Sequence, residues 1–114
     1  MTIEAIRVMA DYNSWALWVG IDNTRPVDVG LSSDLSESLD RWAQVYSSTL
    51  DQTYPPDSGF TTKLERELWV RWGLSLTEQV ANQLGREVAY CHDVSDQSGG
   101  HRIIVSPTKT TGNL

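Results

Sequence analysis

"SSDLSESLDRWAQVYSSTLDQTYPPDSGF", residues 32–60, decides the fold: it sets a helix, a hard stop and the approach to a second helix between two groups of strands. Ser32 or Ser33 can cap the helix, and Asp34 and Glu37 sit in its first turn, where the helix dipole favours negative charge. Leu35, Leu39, Trp42, Ala43, Tyr46 and Leu50 recur at helical spacing and form one apolar stripe. Asp34, Glu37, Arg41, Gln44 and Ser48 fall off that stripe. The spacing predicts a helix over 33–52. "TYPPDSGF" ends it, because two prolines, an Asp and a Gly in succession fix a stiff turn.

Downstream, "TTKLE" opens a second helix, with Thr62 and Glu65 in the positions of a capping box. Leu64, Leu68, Trp72, Leu76, Val80 and Leu84 repeat every four residues, so their stripe wraps around the helix axis. Trp69 flanks it. Gly85 is a natural stop, which predicts helix over 62–84. Gly73 weakens the middle, and "SLTE" at Ser75–Glu78 could cap a separate second half, so a break near Gly73 stays open. The residues expected in the core from both helices are Leu35, Leu39, Trp42, Tyr46, Leu64, Leu68, Trp72, Val80 and Leu84.

Strand candidates flank this helical centre. "IEAIRVMADY" and "SWALWVGI" precede it, and "EVAYCH" and "HRIIVS" follow it, joined by the polar, glycine-rich "DVSDQSGG". "DNTRPVDVG" reads as a loop or irregular edge, since Pro26 removes a ladder donor. Short connections favour antiparallel neighbours. The expectation is an α+β domain: a small antiparallel sheet covered on one face by two amphipathic helices, a two-layer sandwich. A chain of 114 residues fits one such domain, here 1–106, with 107–114 as a loose tail.

Five Trp and four Tyr supply large apolar areas for a core. The longest apolar run, "WALWV", is far too short to span a bilayer, and "MTIEAIRVMADYN" lacks the apolar core of a signal peptide. A cytoplasmic location is expected, and a single cysteine, Cys91, suits a reducing compartment.

The net charge of −6 argues against nucleic acid as a partner. The charge is also uneven. Residues 11–60 carry eight acids and two arginines, whereas residues 61–114 carry six acids and six bases. Core packing does not require that asymmetry. Two readings stand side by side: a solvated helix face whose acids serve capping and solubility, and a surface built to meet a basic partner.

No catalytic constellation stands out. The serines of "LSSDLSES" are explained by capping, and none lies in a nucleophile elbow. Cys91 and His92 are adjacent, so on a strand they point to opposite faces, and His101 across the hairpin adds at best a second histidine. That falls short of the three or four ligands a zinc site uses, so no metal and no cofactor are expected. The alternative is a small enzyme or ligand-binding domain using the His92/His101 hairpin, or an adaptor. The preferred partner-binding residues are Asp22, Asp28, Asp34, Glu37, Asp40, Asp51 and Asp57, with Trp18. Trp15 and Trp18 have opposite strand parity, and an exposed Trp beside carboxylates would suit a protein interface.

The pattern "LW…VDVGLSSDL…L..W…Y…LD…PPDSGF…E..WV..G…L…LG" spans roughly residues 17 to 90. It rests on Leu17, Trp18, Val27, Asp28, Leu31, Ser32, Leu35, Leu39, Trp42, Tyr46, Leu50, Pro56, Ser58, Gly59, Phe60 and Gly73. It resembles small bacterial proteins of the toxin-immunity type. The resemblance implies stoichiometric binding and neutralisation of a cognate toxin, often a basic nuclease. It implies no catalytic residues.

Overall fold

A computed structural model of the chain describes residues 5–49, 60, 62–91 and 102–107. Five strands form one sheet: β1 (Ile6–Met9), β2 (Leu17–Val19), β3 (Asp22–Thr24), β4 (Val88–Cys91) and β5 (Arg102–Val105), in the spatial order β3-β2-β1-β4-β5. Between β3 and β4 lie a short 3-10 helix (Pro26–Val29) and two α-helices, α1 (Ser33–Ser48) and α2 (Lys63–Leu84). The α+β class is as the sequence predicts.

The sheet is mixed. β1–β2, β2–β3 and β4–β5 pair antiparallel, but β1 and β4 pair parallel at its centre, with Val8 opposite Tyr90. Short loops argue only for neighbours joined by them. β1 and β4 are joined through both helices, a crossover long enough for a parallel pair. Of the two readings of residues 22–30, loop or irregular edge, residues 22–24 take the edge as strand β3, and Pro26 opens the 3-10 helix, where its missing N–H does no harm.

The helices cover the face that carries Val8, its partners Leu17 and Tyr90, and Val88. Tyr90 reaches across to donate to the Val70 carbonyl of α2 (2.6 Å), and its ring lies 6.1 Å from that of Trp42 on α1. Ser32 caps α1 by accepting from Leu35 N–H. Gln83 of α2 then bonds both the Ser32 amide and its hydroxyl, tying the start of α1 to the end of α2. The Thr62–Glu65 capping box forms, and Gly85 ends α2 at positive φ. α1 ends at Ser48 rather than 52, and the "TYPPDSG" turn lies outside the described residues.

α2 buries a different stripe from the one expected. Leu64 and Leu68 are 63% and 55% exposed, Trp72 and Leu84 are half-buried, and Trp69 is 4% exposed. A four-residue step advances about 40° around an α-helix, so a row of such steps cannot stay on one face for six residues. The buried line is Trp69, Gly73, Leu76, Thr77, Val80 and Ala81, in which residues three and four apart share one face. No break occurs at Gly73, and Ser75 lies inside a continuous helix. The core residues of α1 are Leu35, Leu39, Trp42 and Ala43, with Tyr46 half-buried.

Candidate partner-binding surface

α1 presents its polar side away from the sheet. Asp34, Glu37 and Arg41 are exposed along it, and Asp28 and Asp22 are exposed on the elements that lead to it. Between described residues, no ion pair within 4 Å involves Asp22, Asp28, Asp34, Glu37 or Asp40; the one such pair joins Lys63 to Glu67 on α2. Among the described residues no cation therefore pairs with these acids at contact distance. Asp51 and Asp57 lie outside the described residues.

Asp40 differs from the other acids. It lines a cleft of about 430 Å³ between α1 and the β1–β2 connection, with Ala43, Gln44 and Ser47 on the helix side and Trp15 and Asn23 opposite. It is half-buried, and its Oδ1 is shut off from solvent with no hydrogen-bond partner. Burial raises the Asp40 carboxyl above the usual carboxylate range; Arg25 pulls the other way, and Glu37 adds to the rise.

The sign of the consequence follows from linkage. Between the ordinary carboxylate range, about pH 4, and the raised folded value, the folded state holds the Asp40 proton more tightly than the unfolded chain. Stability linked to Asp40 is therefore lost as pH rises through that window. Asp40→Asn should make the domain more stable than wild type at pH 7, and the two should converge below about pH 4. Urea unfolding across pH 3.5–7 checks this; a less stable variant at pH 7 would contradict it.

The opposite wall of the cleft is held rigid. Asn23 Oδ1 accepts from the Trp15 amide (2.9 Å), and its Nδ2 donates to the carbonyls of Trp15 (2.7 Å) and Leu17 (3.2 Å). The Asn13 amide donates to Ser47 Oγ on α1 (3.0 Å), and Asn13 sits at φ 58°, a conformation that Asn tolerates. The backbone of Trp15 is thus clamped while 43% of the residue stays exposed.

Trp18 lies elsewhere. By register it shares the outer face of the sheet with Arg7, Ala89 and Ile104. It is half-buried, donates from its indole to the Met9 carbonyl (3.0 Å), and lies under the Arg7 guanidinium, 5.7 Å from the ring centre. The structure therefore brings Asp40 together with Trp15, and does not bring Trp18 to that cleft. Sequence parity marked one of the two tryptophans as outward-facing but could not say which. The Asn23 and Ser47 clamps left no signal, since both are long-range contacts of common polar residues.

Cys91 is half-buried beside that outer face. Burial pushes its thiol up, against the pull of Arg7 and Arg102, which leaves it protonated and unreactive at neutral pH. His92 and His101 lie outside the described residues. Among the described residues, no helix is long and apolar enough to cross a membrane.

Residues 4–93 match the family described as Serratia CdiI immunity protein-like, and the chain belongs to that family. No curated protein matches it.

Proposed function

We propose that this chain is an immunity protein that neutralises a cognate bacterial toxin by direct stoichiometric binding, and that it docks a basic surface of that toxin with its acidic side. The observation that carries the reading is the match to the immunity protein-like family over residues 4–93. The exposed acids of α1 and its approach give that role a physical means. Complementary charge raises the rate of encounter and rejects partners of the wrong sign. The candidate docking residues are Asp22, Asp28, Asp34, Glu37 and Asp40, together with Asp51 and Asp57; Trp18, on the outer face of the sheet, does not share the side that α1 presents. No catalytic step is assigned to the chain.

The test uses a candidate toxin domain, sought first among the genes neighbouring this chain's own. Asp34→Lys/Glu37→Lys should slow association about tenfold at low salt, within the range that steering supplies. The wild-type rate should fall as salt shortens the Debye length below about 10 Å. The fold should hold, since exposed substitutions usually cost within about 0.5 kcal/mol each, with a little more where Lys opposes the dipole at Asp34. Stopped-flow association over a salt series reads both effects. An unchanged rate in the double variant, with no salt dependence in wild type, would reduce these acids to a solvated helix face.

A further inference from the structure

We infer that the cleft between Trp15 and Asp40 receives an arginine side chain projecting from the toxin, which makes it the anchor of the interface; this rests on the immunity reading above. Three independent features converge there. The first is an aromatic side chain that is exposed although its backbone is fixed on both sides by Asn23. A tryptophan whose backbone is already fixed loses less entropy on binding than one on a mobile segment, which favours it as an anchor.

The second feature is a carboxylate lining the same cleft. Asp40 has an oxygen with no hydrogen-bond partner, and no described ion pair within 4 Å neutralises it. A carboxylate on the cleft wall favours a cation as the occupant, since complementary charge selects the partner. The third feature is the cleft's own chemistry. Among the described residues that line it, only Trp15 and Ala43 are apolar, while Gln44, Ser14 and Asn13 are polar. Small-molecule pockets are lined predominantly by apolar side chains, so a metabolite is the poorer fit.

An aromatic face beside a carboxylate suits a guanidinium better than an ammonium. The planar group stacks on the ring while its fork of N–H donors engages the carboxylate. The charge of the surrounding surface has the matching sign, with Asp22 and Glu37 exposed on neighbouring elements.

Two measurements test the assignment on the full chain. In the first, NMR spectra of the labelled protein are followed while N-acetyl-arginine amide is added, with N-acetyl-citrulline amide as the uncharged isostere. The arginine compound should shift the Trp15 indole and the Asp40 and Gln44 amides, and Asp40→Asn should abolish the shift. Equal shifts from citrulline, or none from either, overturn the assignment.

In the second, Asp40→Asn and Trp15→Ala should each weaken the toxin domain's Kd by about thirtyfold, mostly through faster dissociation, as hot-spot truncations do. Glu78→Gln, on the exposed side of α2, should leave Kd unchanged. Asp40→Asn is expected to fold at least as well as wild type, so a loss of binding cannot be blamed on unfolding. If wild type binds the toxin domain and both variants bind it equally well, the cleft is not the anchor and the immunity reading stands. If wild type does not bind that domain at all, the immunity reading falls and takes the anchor with it.

Discussion

Gly73→Ala should destabilise the domain by about 1–3 kcal/mol, although the same change inside an ordinary helix stabilises by about 1 kcal/mol. Gly73 sits in the middle of α2 where Trp42 and Tyr90 close on its backbone. A Cβ there would lie 2.7 Å from Cε2 and Cζ2 of Trp42 and would run into the Tyr90 hydroxyl. Neither neighbour can withdraw freely. The Trp42 indole donates to the Trp69 carbonyl (3.1 Å), and the Tyr90 hydroxyl donates to the Val70 carbonyl (2.6 Å). The close approach of α1 and β4 to α2 therefore depends on the missing methyl. Tyr90→Phe removes the nearest obstacle, so Gly73→Ala/Tyr90→Phe should lose less than the sum of the single changes, with a coupling of about 1 kcal/mol. Tyr90→Phe alone should cost about 1 kcal/mol for its hydrogen bond. Urea unfolding of the three variants reads the cycle; a stabilised Gly73→Ala would show that the packing yields more readily than the geometry implies.

The same residue shows where sequence reading stopped. Within α2 a glycine has a known propensity cost, and "SLTE" after it has the form of a cap, so a break was a reasonable expectation. What holds the helix intact is packing by two aromatics from 31 residues upstream and 17 downstream, and no local pattern reports that. The elements themselves were legible wherever a local rule governs them. Ser32, the Thr62–Glu65 box and Gly85 mark helix ends by their own hydrogen bonds or φ, and the structure keeps all of them. The buried stripe of α1 was legible because its apolar residues share one arc. That of α2 was misread because six leucine-like residues spaced by four describe a spiral, and tertiary packing chose the segment of it centred on Leu76 and Val80. The parallel β1–β4 pair was hidden for another reason: strand direction there is set by a path through both helices, and short-loop rules do not reach so far. In the candidate site, the charge excess was visible as composition. The cleft was not, because Asp40 differs from Asp34 and Glu37 only through what the β1–β2 connection places opposite it.

Trp42→Ala should be the most damaging single substitution, at about 3–5 kcal/mol, which approaches the whole stability of a small domain. Trp42 is fully buried, and its loss would remove more than apolar area. The Trp42 and Trp69 indoles stack with centroids 4.4 Å apart and planes 3° from parallel. Each also donates its N–H to the other's backbone carbonyl, Trp42 to Trp69 at 3.1 Å and Trp69 to Trp42 at 3.0 Å. This reciprocal pair fixes α1 against α2 in rotation and in register, because sliding either helix breaks both bonds together. Trp42→Phe keeps a ring in the stack but loses one donor, so it should cost less than Ala. It should also couple to Trp69→Phe by about 0.5–3 kcal/mol in a double-mutant cycle. Independent, additive effects would show that the two rings only fill space. Asp40 and Ala43 lie two residues before and one residue after Trp42 on the same helix, so the brace also sets how far α1 stands from the clamped Trp15. Where Trp42→Phe remains folded, toxin binding should weaken beyond what its stability loss explains, because the two walls of the cleft are then no longer held at a fixed separation. Binding measured well below the unfolding midpoint separates the two effects. An unchanged Kd there would show that the cleft forms independently of the tryptophan brace.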